Sequence, residues 1–366
     1  MPKEVVYIAA QPDDLYFAWQ IEVQINNFRK YGISDKLRYL MFLPSPRING
    51  GGTKNEGKGW NKETRELPIK YPEVQFYWYE DVEDIITNYV NPYQYIPLLR
   101  PYCLARHFAE NPDLKEKAIF YLDSDVLFTR YPDFVDKYKD DDVCYLSDTK
   151  HYIAASYWDS KYKDVIEEKK AAYKSIDPLD TIAKKVGISR EVCVANEEGS
   201  GGAQYLLKNI DHKFWLEVFK GCLDIRGGLS FHIPMSINKL YFENEDKGFQ
   251  SWCADMWSVL WNLWKRDMKT VCPPEMDFAW ATDPIARLDE VYIFHNAGAT
   301  HDPIIVNGKT HILFDKRGRG WEYVNNKTTP FADNQHHTVS PDFCSAFYCK
   351  EVEETKKNRE FSVTLK

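Results

Sequence analysis

The sequence predicts an α/β protein whose mixed, mostly parallel sheet is flanked by helices, and three observations carry that prediction. Through the first half, short apolar runs of strand type alternate with longer helical patterns, the order expected of strands joined by helical crossovers. The residues that follow the runs are polar, as they are in sheets that bind ligands beyond the carboxyl ends of their strands. At 366 residues and 44% hydrophobic content the chain can bury one large core or two ordinary ones, which excludes a disordered protein.

The expected strands are Val5–Ala10, Leu37–Leu43, Val74–Tyr79, Ala118–Leu122 and Val143–Leu146, with helices near Leu15–Lys30 and Tyr95–Glu110. The first strand runs into Gln11, Pro12, Asp13 and Asp14, and the fourth into Asp123, Ser124 and Asp125. Between the second and third strands, Arg47–Pro68 is rich in Gly, Lys and Asn and too long for a plain connector, so it reads as a lid or as disorder. The second half is more helical, with amphipathic stretches near Asp211–Arg226 and Gln250–Arg266 and a late strand at Val291–Phe294 that leads into His295. Gly199-Ser-Gly-Gly-Ala-Gln204 is expected to open a helix, where a glycine-rich approach suits a sugar or phosphate and a flexible loop is the alternative. From Lys327 the chain turns polar and Lys/Glu-rich, as a surface extension does.

The formal net charge of −8 argues against a surface that wraps nucleic acid, although a local basic patch is compatible with it. Lys54, Lys58, Lys62 and Arg65 form such a group in the long loop. The eight cysteines are scattered without C-x-x-C spacing and read as buried thiols. An aromatic content of 15% suits either platforms for sugars and bases or an aromatic-rich core. The N-terminus reads as entering a strand directly, so no secretory signal is expected, and with no apolar stretch long enough to span a bilayer no membrane anchor is expected either. The expected compartment is the cytoplasm, of a cell or of a virus-infected host.

The sharpest chemical signal is Ala118-Ile-Phe-Tyr-Leu-Asp123-Ser-Asp125, an apolar strand ending in two carboxylates one residue apart. Such a pair suits a hard divalent cation, Mn²⁺ or Mg²⁺, that bridges the diphosphate of a nucleotide. A haloacid-dehalogenase-type phosphatase also carries Asp-x-Asp, but its motif calls for Thr or Val where this chain has Leu127. The second signal is His295-Asn-Ala-Gly298, an imidazole and a glycine turn at a strand end; the alternatives are a third metal ligand and a structural histidine. Ala10-Gln11-Pro12-Asp13-Asp14 resembles the Ala-His-Pro-Asp-Asp of zinc-dependent sugar N-deacetylases, but an amide replaces the zinc-binding imidazole.

Strand–Asp-x-Asp with a downstream His-x-x-Gly resembles the GT-A glycosyltransferases, whose Rossmann-like fold holds a divalent cation between these two motifs. The opening Ala10–Gln20 and the Gly201–Ile210 segment are similar to parts of the same class, and Tyr16-x-x-Trp19-Gln20 distantly resembles plant hydroxyproline O-arabinosyltransferases. The resemblance implies a catalytic domain over residues 1–326, with a donor-binding half of about 1–150 and an acceptor-side half of about 151–326, followed by an extension over 327–366. It implies Asp123, Asp125 and His295 as metal ligands, and Gln11, Tyr16, Arg100, Arg106, Ser124 and Lys316 as donor-binding residues. Gly201, Gly202 and Gln204 would then contact acceptor or sugar, and Asp255, a polar island in an apolar helix, would be the general base. The implied partners are a nucleotide-sugar donor, with UDP the nucleotide most used in the class, and an acceptor glycan, protein hydroxyl or hydroxylated nucleic-acid base. A carbohydrate-binding protein that keeps the fold but transfers nothing is the non-enzymatic alternative.

Overall fold

The structure, a computed structural model, describes residues 2–43, 61–81, 95–169, 177–231, 249–297, 303–316, 329–332 and 338–364. The central sheet contains β1 (Val5–Pro12), β2 (Leu37–Leu43), β3 (Gln75–Glu80), β4 (Ala118–Tyr121), β6 (Cys144–Asp148), β7 (Gly201–Leu207) and β8 (Thr270–Val271). Its spatial order is β3-β2-β1-β4-β7-β6-β8. The β3-β2-β1-β4 half is parallel, whereas β7 runs antiparallel to both β4 and β6. The expected mixed, mostly parallel sheet is therefore present.

The first seven residues of β1 are all buried, because helices cover both faces of the sheet. Val6, Ile8 and Ala10 face one core and Val5, Tyr7 and Ala9 the other, the period-2 alternation of a strand. On the first face lie α3 (Leu99–Glu110), α4 (Ala155–Lys169), α5 (Pro178–Val186), α6 (His212–Phe231) and α7 (Ala254–Lys265); on the second lies α1 (Leu15–Lys30). The fourth strand obeys the same rule. Ile119 and Tyr121 belong to the first core, Ala118, Phe120 and Leu122 to the second, so the chain reaches Asp123 on the parity of the α3 and α7 side.

A second sheet, in the order β5-β10-β9, joins β5 (Val126–Phe128), β10 (Ile293–His295) and β9 (Phe278–Trp280). Its β10 runs antiparallel to β5, with His295 opposite Val126. That register brings a histidine and an Asp-x-Asp together across a wide gap in sequence.

Three expectations change. The glycine run opens β7 rather than a helix. The long connection closes with α2 (Lys62–Lys70), while residues 44–60, including Lys54 and Lys58, lie outside the described residues. The expected surface extension carries α8 (Ser345–Thr364), whose Tyr348, Cys349 and Val352 are buried against Trp19 and Val23 of α1. Its Glu351 accepts from Lys30, which also pairs with Glu354. Apolar residues at 348 and 352 supply one helical stripe within a charged segment, and average polarity hides it.

All eight cysteines are unpaired and only Cys272 is partly exposed, as expected of buried thiols. Among the described residues no helix is long and apolar enough to cross a membrane.

Candidate active site

The Asp-x-Asp turn is held from behind by α1. Gln24 donates to the carbonyls of Asp123 and Val126 at 2.8 and 2.6 Å, and Tyr39 donates to its Oε1 at 2.6 Å. One helical turn on, Asn27 exchanges two hydrogen bonds with the backbone of Phe128. Together these amides satisfy backbone groups of the turn and of β5, the edge strand of the second sheet.

On the other side of the turn, Asp123, Asp125 and His295 offer ligand atoms within 4.8 Å of one another. Each carboxylate has one oxygen engaged by a cation and the other turned towards the imidazole. Arg100 Nη2 lies 3.0 Å from Asp123 Oδ1, and Lys316 Nζ pairs with Asp125 Oδ2. His295 Nε2 stands 3.7 Å from Asp123 Oδ2 and 3.4 Å from Asp125 Oδ1. Octahedral Mg²⁺ with bonds of about 2.0–2.1 Å sets neighbouring ligand atoms about 3 Å apart, so this donor set fits a hard divalent cation after small adjustment.

The electrostatics are those of a buried ionic cluster. Burial opposes ionisation of Asp125, but Lys316 and His295 outweigh it and hold the carboxyl well below its usual range. Burial likewise opposes the Lys316 charge, and Asp125 reverses the effect and raises its pKa. Arg100 also reaches Asp255, with Nη1 3.3 Å from Oδ2. Burial pushes the Asp255 carboxyl up to about 6 despite Arg100, and the Asp123 charge adds to the rise. Asp255 sits in the first turn of α7, where its backbone N–H donates to Tyr95 Oη at 2.9 Å.

The structure thus gathers Asp123, Asp125, His295, Arg100, Lys316 and Asp255, with Ser124 buried between the two carboxylates. Gln11, at the end of β1, is 1% exposed and its Oε1 has no hydrogen-bond partner among the described residues. Tyr16 opens α1, packs edge-on against Trp19 and acts electrostatically on Lys316. Arg106, six residues beyond Arg100 and so on another face of α3, is engaged with β3: it donates to the carbonyl of Glu80 at 2.7 Å and lies over the Tyr79 ring. Gly298 is outside the described residues.

Gly201, Gly202 and Gln204 enter through β7. A Cβ on Gly201 would stand 2.6 Å from both the Ser147 carbonyl and Cys272 Sγ, whereas one on Gly202 meets chiefly the mobile end of Met256. Gly201→Ala is therefore expected to cost about 1–3 kcal/mol of stability, and Gly202→Ala less; chemical denaturation of the two variants checks the order. Ala203 is left-handed, with φ 67°, beside the irregularity in the β6–β7 pairing. Gln204 follows, fully buried, its amide 2.8 Å from His295 Nδ1.

Sequence reasoning missed Gln24, Asn27, Ser147, Trp280 and Asn296. Trp280 stacks on the His295 ring, with centroids 6.1 Å apart and planes 13° apart. Asn296 is 1% exposed, its backbone N–H donates to Asp125 O, its carbonyl accepts from Lys316, and neither side-chain amide atom has a partner among the described residues. The available signal was polar side chains on apolar surfaces, at positions 24 and 27 of α1 and directly after His295.

No family model and no curated protein matches the chain. Among solved structures it is similar to the galactosyltransferase LgtC, crystallised in complex with donor and acceptor sugar analogs. The two are 14% identical, the match covers 97% of this chain and 95% of that one, and the TM-score is 0.37.

Proposed function

We propose that the chain is a GT-A-type glycosyltransferase that uses Mn²⁺ or Mg²⁺ to move a sugar from a nucleotide-sugar donor, with UDP as the nucleotide, to an acceptor hydroxyl. The observation that carries the reading is the convergence of Asp123 Oδ2, Asp125 Oδ1 and His295 Nε2 at the carboxyl ends of β4 and β10, each carboxylate keeping one oxygen clear of its cationic partner. A bound cation supplies Lewis-acid stabilisation of the charge that develops on the departing diphosphate. Asp123, Asp125 and His295 would hold it.

The remaining residues divide the work around that point. Asp123, Asp125 and Asp255 outnumber Arg100 and Lys316 by one charge, so a divalent cation turns the cluster net positive and able to take an anionic diphosphate. Gln11 and Asn296 carry buried amide atoms without partners among the described residues, and a polar ligand with groups in reach relieves that cost. Tyr16 and Ser124 would border the same space in this reading. Arg100 ties the metal side of the site to Asp255, whose raised pKa suits a base that takes the proton from an acceptor hydroxyl. The β7 segment at Gly201 and Gly202 lies on the sugar side in this reading.

Glycan, protein and hydroxylated-base acceptors differ in charge, so a nucleic-acid acceptor would bind with a steep dependence on salt and a neutral glycan with little. Of the basic loop residues that are described, Lys62 pairs with Glu66 and Arg65 lies over the Trp78 ring.

The test is incubation with a panel of nucleotide sugars, with Mn²⁺ or with EDTA, scoring release of nucleoside diphosphate without acceptor. Slow release from one donor, abolished by EDTA, is expected. Release from none, together with no thermal shift on adding any donor, would remove the transferase reading, and phosphate release from simple esters instead would favour a phosphatase.

A further inference from the structure

We infer that Gln204, backed by Ser147, is a positioning residue that sets which nitrogen of His295 carries the proton, and thereby whether Nε2 is open to a cation; the inference rests on the metal reading above. Three fully or almost fully buried side chains form a line. The Ser147 hydroxyl donates to Gln204 Oε1 at 2.7 Å, and Gln204 Nε2 faces His295 Nδ1 at 2.8 Å. With the amide nitrogen donating, Nδ1 is the acceptor and the proton of the neutral ring sits on Nε2, facing Asp123 and Asp125.

A cation needs the Nε2 lone pair, which requires the proton on Nδ1 and an acceptor opposite it. A carboxamide meets both demands because its donor and acceptor exchange places by a half-turn. After that turn Gln204 Oε1 accepts from Nδ1–H and its nitrogen donates to Ser147 Oγ, a hydroxyl able to give or to receive. Beyond the amide, only the Ser147 hydroxyl hydrogen has to turn. The backbone that carries the amide is fixed by the left-handed Ala203, by the close approach at Gly201 and by the β6–β7 irregularity, and Trp280 fixes the plane of the imidazole.

A glutamine that only filled space would be replaced without consequence by methionine, which is similar in length and apolar. Two measurements separate the roles: Mn²⁺ affinity by electron paramagnetic resonance, and long-range ¹H–¹⁵N NMR of labelled histidine in the metal-free protein, with the His295 signals assigned by their loss in His295→Asn. Gln204→Met is expected to bind Mn²⁺ roughly 10–100-fold more weakly than the wild type. Gln204→Glu, whose carboxylate can only accept, should bind at least as tightly as the wild type and place a proton on Nδ1, where the wild type carries it on Nε2.

Wild-type affinity in Gln204→Met, or a bare Nδ1 in Gln204→Glu, would overturn the inference. Should the methionine variant not fold, the proton position in the glutamate variant still decides. A wild type that binds no Mn²⁺ would remove the metal reading itself and the inference with it, whereas equal tight binding by wild type and Gln204→Met would remove the inference alone.

Discussion

Replacing Asp255 by asparagine is expected to lower kcat by roughly 10²–10⁴-fold, the usual worth of a positioned general base, while donor and metal binding persist. The substitution keeps shape and removes the group able to take a proton, together with the charge that faces Arg100. Because burial raises the wild-type carboxyl to about 6, the transfer rate should climb as pH rises through that value and level off above it. The stability linkage runs the other way. The folded pKa lies above that of the unfolded chain, so between about pH 4 and 6 the unfolded state releases the proton first and this group's contribution to stability falls as pH rises. The asparagine variant should lack that component of the pH dependence. A kcat unchanged by Asp255→Asn would reassign the residue to holding Arg100 or acceptor, and a retaining mechanism would then fit better.

Asp125→Asn should have the largest effect on the folded state. Lys316 is buried, and its ammonium is met by Asp125 and by the Asn296 carbonyl. Removing one partner of a buried ion pair leaves the other charge uncompensated, typically at about 3–5 kcal/mol. The variant should unfold at lower denaturant concentration, and added Mn²⁺ should no longer stabilise it, since one ligand oxygen has become a neutral amide. Lys316→Met in the same background should recover part of the lost stability without recovering the Mn²⁺ effect. A variant as stable as the wild type would mean that water reaches Lys316.

The central sheet was legible because its strands are buried on both faces and read as unbroken apolar runs, as in Val5–Ala10 and Leu37–Leu43. Asp123 and Asp125 were legible because two carboxylates directly after such a run have few packing explanations. His295 and Asp255 could be nominated but not placed, since proximity across the register of β5 and β10, or across α3 and α7, is a tertiary fact. The strand at Gly201–Leu207 was masked by its glycines, which serve close packing against β6 and Cys272 rather than a helix terminus. Arg100 and Arg106 were indistinguishable in sequence; six residues of helix turn them to different faces, and only Arg100 meets the carboxylates. The buried amides Gln24, Asn27 and Gln204 act through backbone and ring nitrogens whose positions exist only after folding.

The most direct test of the central claim is calorimetric titration of the wild-type protein with UDP, once with saturating Mn²⁺ and once with EDTA. A diphosphate held through a cation on Asp123, Asp125 and His295 predicts binding that requires Mn²⁺ and is lost in Asp125→Asn even where that variant remains folded. UDP bound equally well in EDTA, or not bound at all with Mn²⁺ present, would contradict it.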